Sequence, residues 1–441
     1  MNQITDEQLR QLRHAAEAGE AKGQYLLAGV LSQKGDMEES GEWLRKAADS
    51  GLPDAVYTLG TWYLSGSFVA KDLVKGYGLM VSAFEGGLKW LAPVIGAMKA
   101  IGHGTEASWP EAVKLVGEAA RGGNPSSMVQ IAMLTAIREP DQPAVDTLLR
   151  YAAQEGEPYG ICSLGLRKLE AGGAKNKQEA WFWLQTAAER KHPTASQLVA
   201  KEGAGQAANF QPATTSFESI AALDWEALLG GLGEVPLADS VKPKSVLKDP
   251  RIDRYPGFLS RAECSHLVFQ AMRCLKPSGT IHPVTGEVTQ SPIRTSADAT
   301  FWPINQDLVV HAVNHRIAAQ AGHAPENQEM LCVLYYEPGQ EYKPHFDFLF
   351  RDKDGKSEQL DQSGQRIGTF LVYLNDAYEG GETEFPKLDL KLKGATGEGL
   401  YFENTLKDGL GDERTLHAGI PVVSGSKWLA TKWIREKPFV Y

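Results

Sequence analysis

The stretch Tyr335-Tyr336-Glu337-Pro338-Gly339-Gln340-Glu341-Tyr342-Lys343-Pro344-His345-Phe346-Asp347 decides the reading of the second half of this 441-residue chain. On extended backbone alternate side chains leave the same face, so His345 and Asp347 present an imidazole nitrogen and a carboxylate together. A metal would need a third ligand. His417, in Arg414-Thr415-Leu416-His417-Ala418-Gly419-Ile420-Pro421-Val422, is the best-placed candidate. Two histidines and one carboxylate on one face leave coordination positions open, an arrangement suited to ferrous oxygenases. By itself a His-x-Asp pair also fits a solvated surface, and a zinc hydrolase on the same triad is a second reading.

Lys427 narrows the choice. It follows Gly425-Ser426 and opens a hydrophobic run, Ser426 to Ile434. A lone lysine there ordinarily points to solvent; inside a barrel it is a buried cation that requires an anion. The distal carboxylate of 2-oxoglutarate would supply one, and a zinc hydrolase leaves the lysine unexplained. The surrounding runs, Met330 to Tyr336, Gly368 to Leu374, Gly399 to Phe402 and Ser426 to Ile434, are short, rich in β-formers and separated by polar turns. They predict an antiparallel barrel or jelly roll. Ser260 and Glu263, spaced as a capping box, start a helix over about residues 261–274.

With these blocks in order, residues from about 252 to 437 resemble the catalytic domain of prolyl 4-hydroxylases. The match takes in Tyr336, Gly339-Gln340, His345-Phe346-Asp347, Gly368-Thr369-Phe370-Leu371-Val372-Tyr373-Leu374-Asn375, Gly380-Gly381-Glu382-Thr383-Glu384-Phe385-Pro386, His417-Ala418-Gly419 and Gly425-Ser426-Lys427-Trp428. The resemblance implies a double-stranded β-helix (jelly-roll) oxygenase using Fe(II), 2-oxoglutarate and O2, with ascorbate as a reductant that keeps the iron ferrous. It assigns His345, Asp347 and His417 to iron, Lys427 to the distal carboxylate, and Tyr336 and Thr383 to hydrogen bonds beside it. Arg366 matches a position that faces substrate. On the residues alone Arg366 is equally a surface cation, and Tyr336 and Thr383 equally packing or strand-capping residues. The implied reaction hydroxylates an unactivated C–H bond while decarboxylating 2-oxoglutarate to succinate, with a prolyl residue of a protein or peptide as leading substrate. Free proline, another side chain, or an inactive oxygenase-like domain in a repeat-based adaptor are the alternatives. The polar segment Lys276 to Pro292 corresponds to a mobile loop that closes over peptide in such enzymes; His282 within it reads as exposed. Asp352 to Asp361 reads as an inserted surface loop.

The first half is repetitive. Ala15-Ala16-Glu17-Ala18-Gly19 returns as Ala47-Ala48-Asp49-Ser50-Gly51, Ala83-Phe84-Glu85-Gly86-Gly87, Ala119-Ala120-Arg121-Gly122-Gly123, Ala152-Ala153-Gln154-Glu155-Gly156 and Ala187-Ala188-Glu189-Arg190-Lys191. A second marker keeps phase with it: Leu27-Ala28, Leu59-Gly60, Ile95-Gly96, Ile131-Ala132, Leu164-Gly165 and Val199-Ala200. Small residues allow close helix approach and glycine ends one helix before the next, so each copy predicts a helical hairpin. Tyr25, Tyr57, Trp62 and Tyr63 would fill the layer between hairpins, and Trp181 and Trp183 read as packing. Such units bury their faces only by stacking, which makes an α-solenoid. The copies resemble Sel1-like repeats, relatives of the tetratricopeptide repeat, over roughly residues 10–200; that resemblance implies a protein-binding scaffold. A passive spacer is the bland alternative.

The expected organisation is therefore multidomain α + β: a Sel1-like helical repeat domain over 1–200, a linker over 201–245 with one short helix from Ile220 to Leu232, and the oxygenase domain over 246–441. Net charge is −10 with no cationic run, which argues against a nucleic-acid ligand. No apolar stretch reaches the ~20 residues of a transmembrane helix, and Met1 to Glu7 carries no secretory n-region, so neither membrane nor export is expected. Four widely spaced cysteines suggest neither a disulfide framework nor a zinc knuckle, and a reducing cytoplasm is the simplest location.

Overall fold

A computed structural model describes residues 5–203, 210–237, 241–281, 288–290 and 293–439. The chain forms two compact units: Met1–Ile131 with Asp224–Glu234 and Pro303–Leu308, and Ala132–Leu223 with Val235–Trp302 and Val309–Tyr441. His282 and the tip of the Lys276 to Pro292 segment lie outside the described residues.

The first unit holds the opening helical hairpins, Asp6–Glu17 with Ala21–Lys34, Met37–Asp49 with Pro53–Ser65, and Leu73–Glu85 with Ala92–Ile101, followed by Trp109–Arg121. The repeated Ala-Ala…Gly element ends the first helix of each hairpin. In the second copy Gly51 N–H donates to the Ala48 carbonyl and Leu52 N–H to the Ala47 carbonyl, a closure that requires the φ of +78° found at Gly51. The second marker is the point of closest approach. A Cβ on Gly96 would lie 2.5 Å from Val116 Cγ2, so the helix Ala92–Ile101 meets Trp109–Arg121 at a distance only glycine permits. Tyr25, Tyr57, Trp62 and Tyr63 pack partly buried against the Leu44, Leu59 and Ile95 core.

The second unit contains two more hairpins, Pro143–Gln154 with Pro158–Ala171 and Ala174–Glu189 with Pro193–Leu198. Trp181 and Trp183 are buried here, as packing residues should be. The compact units thus part inside the repeat array, at Ile131 and Ala132, and not at the expected linker near residue 200. The reason is packing: Pro158–Ala171 and Pro193–Leu198 lie against the catalytic-half helix Arg261–Met272, with the His192 ring stacked on Phe269 at 4.8 Å and Cys162 in contact with Ser265. Linker residues also dock. The single helix expected from Ile220 to Leu232 is two, Phe217–Ala221 and Trp225–Gly230, because Asp224 turns its carboxylate to cap the second by accepting from Ala227 N–H.

Beyond residue 243 the fold is the expected double-stranded β-helix. One eight-stranded antiparallel sheet runs in the order Lys244–Lys248, Arg251–Tyr255, Gly399–Glu403, Arg366–Tyr373, Lys427–Arg435, Cys332–Tyr336, Ala297–Thr300 and Lys276–Pro277. Facing it is a four-stranded sheet of Leu390–Leu392, Thr383–Phe385, His417–Gly419 and Tyr342–His345. Helices Arg261–Met272 and Leu308–Ala321 cover the outer face of the large sheet, burying Leu267, Val268, Val313 and Ile317 against Val333, Phe370, Val372 and Ala430. Arg261–Met272 begins with the Ser260–Glu263 capping box read from the sequence. The inner face, with Leu334, Tyr336, Leu371, Tyr373, Phe402 and Leu429, joins Phe385 of the smaller sheet in a second core that walls the site.

Candidate active site

The strand pairing builds the site. His345 ends the strand Tyr342–His345 and stands opposite His417, which opens His417–Gly419. Asp347 lies two residues past the strand end, still on the histidine side. His345 Nε2 is 3.7 Å from Asp347 Oδ1, and His417 Nε2 is 3.5 Å from Asp347 Oδ2. The three ligand atoms lie within 4.8 Å of one another, and two of the three residues are buried.

Both imidazoles are held in the state a metal needs. His345 Nδ1 bonds the Lys343 carbonyl at 2.9 Å and His417 Nδ1 bonds the Thr415 carbonyl at 3.0 Å. A carbonyl oxygen only accepts, so each Nδ1 carries a proton and each Nε2 is the nitrogen turned toward Asp347. Burial, reinforced by the facing His417, pushes His345 down to about 3, which keeps it neutral. Burial opposes ionisation of Asp347, but the two histidines, Arg366 and the Thr369 hydroxyl together hold its carboxyl below the ordinary value. Thr369 Oγ1 donates to Asp347 Oδ2 at 2.7 Å and accepts from Asn404 Nδ2 at 2.9 Å. This donor set, two imidazole nitrogens and one carboxylate with their remaining atoms tied to the protein, fits a first-row divalent ion with open positions.

Lys427 lines the same cavity. It is 2% exposed, opposite Tyr336 in the register of the two central strands, and its Nζ donates to the Gly381 carbonyl at 2.7 Å. Among the described residues it makes no ion pair. Burial pushes its ammonium down to about 8, opposed by the carboxylate of Glu382 and assisted by Lys393. Tyr336 is buried 5.4 Å below that nitrogen, and Thr383 lines the cavity with its hydroxyl 3.0 Å from Tyr373 Oη. The structure thus brings six of the seven sequence-singled residues to one cavity.

Arg366 is the seventh and is not among the lining residues. Its Nε and Nη2 make a two-point ion pair with Glu329 at 2.6 and 2.8 Å, and its guanidinium lies over the Trp433 ring at 4.1 Å. Trp433 does line the cavity, as do Arg294 and Tyr342, to none of which the sequence reading gave a role. Tyr342 stacks on His345 with centroids 3.5 Å apart. Arg294 lies over Tyr342, and its Nε and Nη2 have no hydrogen-bond partner among the described residues. A signal for Trp433 was present: Lys427, Leu429, Thr431 and Trp433 alternate along one strand, and all four line the cavity.

Comparison with known proteins agrees with this geometry. Residues 331–435 match the model of the 2OG-Fe(II) oxygenase superfamily. Over 212 residues the chain is 37% identical to prolyl 4-hydroxylase 1 of Arabidopsis thaliana, an alignment spanning 45% of this chain and 73% of that protein. The chain belongs to the prolyl 4-hydroxylase family and is a 2-oxoglutarate-dependent dioxygenase. Among solved structures it is similar to the 2OG complex of the viral collagen prolyl hydroxylase of Paramecium Bursaria Chlorella virus-1, at 30% identity and a TM-score of 0.34, covering 42% of this chain and 95% of that one. It is also similar to a Sel1 repeat protein from Oxalobacter formigenes, at 22% identity and a TM-score of 0.33, covering 52% of this chain and 66% of the other.

Proposed function

We propose that this protein hydroxylates a prolyl residue in a protein or peptide, with Fe(II) held by His345, Asp347 and His417. The observation that carries the reading is the pairing in one cavity of a metal-competent triad with a buried ammonium, Lys427, that makes no ion pair among the described residues. A dicarboxylate co-substrate would find an anion site on Lys427 and the metal site on the triad. Tyr336 and Thr383 stand as hydrogen-bonding neighbours. Held there, iron(II) with 2-oxoglutarate and O2 would supply the oxidising chemistry, in which one oxygen atom goes to succinate as 2-oxoglutarate loses CO2 and the other goes to an unactivated C–H bond to give an alcohol. The protein's part is to orient and exclude water. Leu334, Leu371 and Leu429 dry the walls, and the Nδ1–carbonyl bonds fix the imidazole planes.

Trp433 and Tyr342 give the cavity flat apolar faces suited to a pyrrolidine ring, and Arg294 beside them has its Nη2 3.9 Å from Asp298 Oδ2. The apolar faces suit a prolyl ring whether it stands in a peptide or free, and a peptidyl target is taken from the family resemblance. In the first unit the exposed Phe68, Val74 and Trp90 support a partner-protein role for the array. The free thiols of all four cysteines are consistent with a reducing, cytoplasmic setting. The test is to incubate full-length protein with Fe(II), 2-oxoglutarate, ascorbate and proline-containing peptides, then measure succinate and map added oxygen by mass spectrometry. Succinate formation tied to hydroxyproline supports the reading. Succinate tied only to free proline or to another side chain replaces the substrate, and omission of ascorbate shows whether it sustains turnover.

A further inference from the structure

The repeat array reaches the residues that flank Lys427 through one side chain. Gln197, in the last repeat helix Pro193–Leu198, donates from Nε2 to Ser426 Oγ at 2.7 Å and accepts at Oε1 from Asn375 Nδ2 at 3.2 Å. Ser426 is the residue before Lys427. Asn375 in turn donates to the Ser426 carbonyl at 2.7 Å and accepts from the Trp428 N–H at 2.8 Å. The backbone on both sides of Lys427 is therefore gripped by Asn375, and the carboxamide of Gln197 closes the ring by tying Asn375 to Ser426. All three residues lie in the same compact unit.

The contact is not an isolated brush of two surfaces. The same helix follows His192, whose ring stacks on Phe269 with an interplanar angle of 6°. The preceding repeat helix places Tyr159 against Gln270 and Cys162 against Ser265, both on Arg261–Met272. A surface this continuous fixes Gln197 relative to the strand Lys427–Arg435. A residue so placed governs where the lysine's stem begins, and a buried ammonium has little freedom to compensate for a shifted stem.

We infer that Gln197 is a positioning residue for Lys427, so that the last repeat is a structural part of the 2-oxoglutarate pocket and not only a recruiting surface. The inference rests on the assignment of Lys427 to the co-substrate carboxylate. Two substitutions separate shape from bonding. Gln197→Met keeps length and volume but loses both bonds. Gln197→Glu keeps both, because its carboxylate accepts from Asn375 Nδ2 and from the Ser426 hydroxyl.

The experiment is equilibrium binding of 2-oxoglutarate to the full-length protein loaded with Mn(II), followed by steady-state kinetics with Fe(II). Loss of the two bonds in Gln197→Met is expected to weaken 2-oxoglutarate binding about three- to tenfold and raise its KM in parallel, with kcat at saturating co-substrate retained. Gln197→Glu is expected to restore most of the affinity, and Mn(II) affinity should stay constant throughout. Lys427→Ala runs alongside. If Lys427→Ala binds 2-oxoglutarate as wild type does, the assignment of Lys427 fails. If Lys427→Ala loses binding while Gln197→Met does not, that assignment stands and the role given to Gln197 is overturned. A fall in kcat and in Mn(II) affinity for Gln197→Met, unrescued by Gln197→Glu, would also overturn it by showing general loosening of the fold.

Discussion

His345 and His417 face each other directly across an antiparallel strand pair, with ring centroids 4.3 Å apart. Register does the work that sequence separation hides: a slip of one residue would turn one imidazole out of the site. Asp347 lies beyond the paired residues and gets its orientation elsewhere, from the Thr369 hydroxyl at 2.7 Å, itself fixed by Asn404. Thr369→Val should therefore lower metal affinity by ~10–100-fold while leaving the triad residues in place. Competitive titration of Mn(II) against a chelator reads this directly. Unchanged affinity would mean that the carboxylate is oriented without Thr369.

Lys427 gives a pH signature. Burial holds its ammonium near 8 in the ligand-free pocket, below the ordinary lysine value of 10.5. Carboxylate binding needs the charged form, so 2-oxoglutarate affinity should be flat below that value and fall about tenfold per pH unit above it. The stability contribution runs the other way. For a base whose folded pKa is depressed, the penalty of burying the charge is fully present below about 8 and is relieved as pH rises toward 10.5. Calorimetric titration of 2-oxoglutarate across this window checks the first statement. Affinity independent of pH there would show that Lys427 does not contact the co-substrate.

Much of this was legible in the sequence, and the boundary of legibility is physical. The triad and Lys427 were readable because a metal and a buried charge impose residue types at fixed places in a strand pattern. The hairpins were readable because Gly51 and its counterparts must adopt positive φ and Gly96 must admit Val116. The surroundings of Arg366 were hidden: nothing local reveals that Glu329, far away in sequence, holds it against Trp433. The division of units was hidden for the same reason, since His192, Phe269 and Gln197 acquire partners only through tertiary packing. Trp433 was recoverable by counting in twos from Lys427.

The sixth repeat departs from its siblings in a testable way. Where the other copies place glycine, it has Lys191, which adopts φ of +63° and makes the same closure, its N–H donating to the Ala188 carbonyl. A non-glycine residue in this conformation is strained. Lys191→Gly should raise stability by about 0.5–1 kcal/mol, less than the full strain because glycine also gains freedom in the unfolded chain. Urea denaturation of the two proteins compares them. A lower midpoint for the glycine variant would mean that the Lys191 side chain contributes more than its backbone costs.

Glu329 offers the sharpest division between stability and function. Its carboxylate receives Arg366 at 2.6 and 2.8 Å and Arg435 Nη1 at 3.1 Å, and Arg435 is 1% exposed. Glu329→Ala strands two buried guanidinium groups and should destabilise the fold by ~3–5 kcal/mol. Arg366→Ala leaves Glu329 paired with Arg435, so its effect on stability should be smaller. Its main consequence should be for Trp433, which loses the cation packed 4.1 Å from its ring. On the proposed assignment of Lys427 to 2-oxoglutarate, peptide KM should rise while co-substrate affinity stays as it was. Denaturation midpoints and paired KM measurements test the ordering. Equal destabilisation by the two substitutions would show that Arg435 cannot neutralise Glu329 alone, and an unchanged peptide KM in Arg366→Ala would remove Trp433 from the substrate contact.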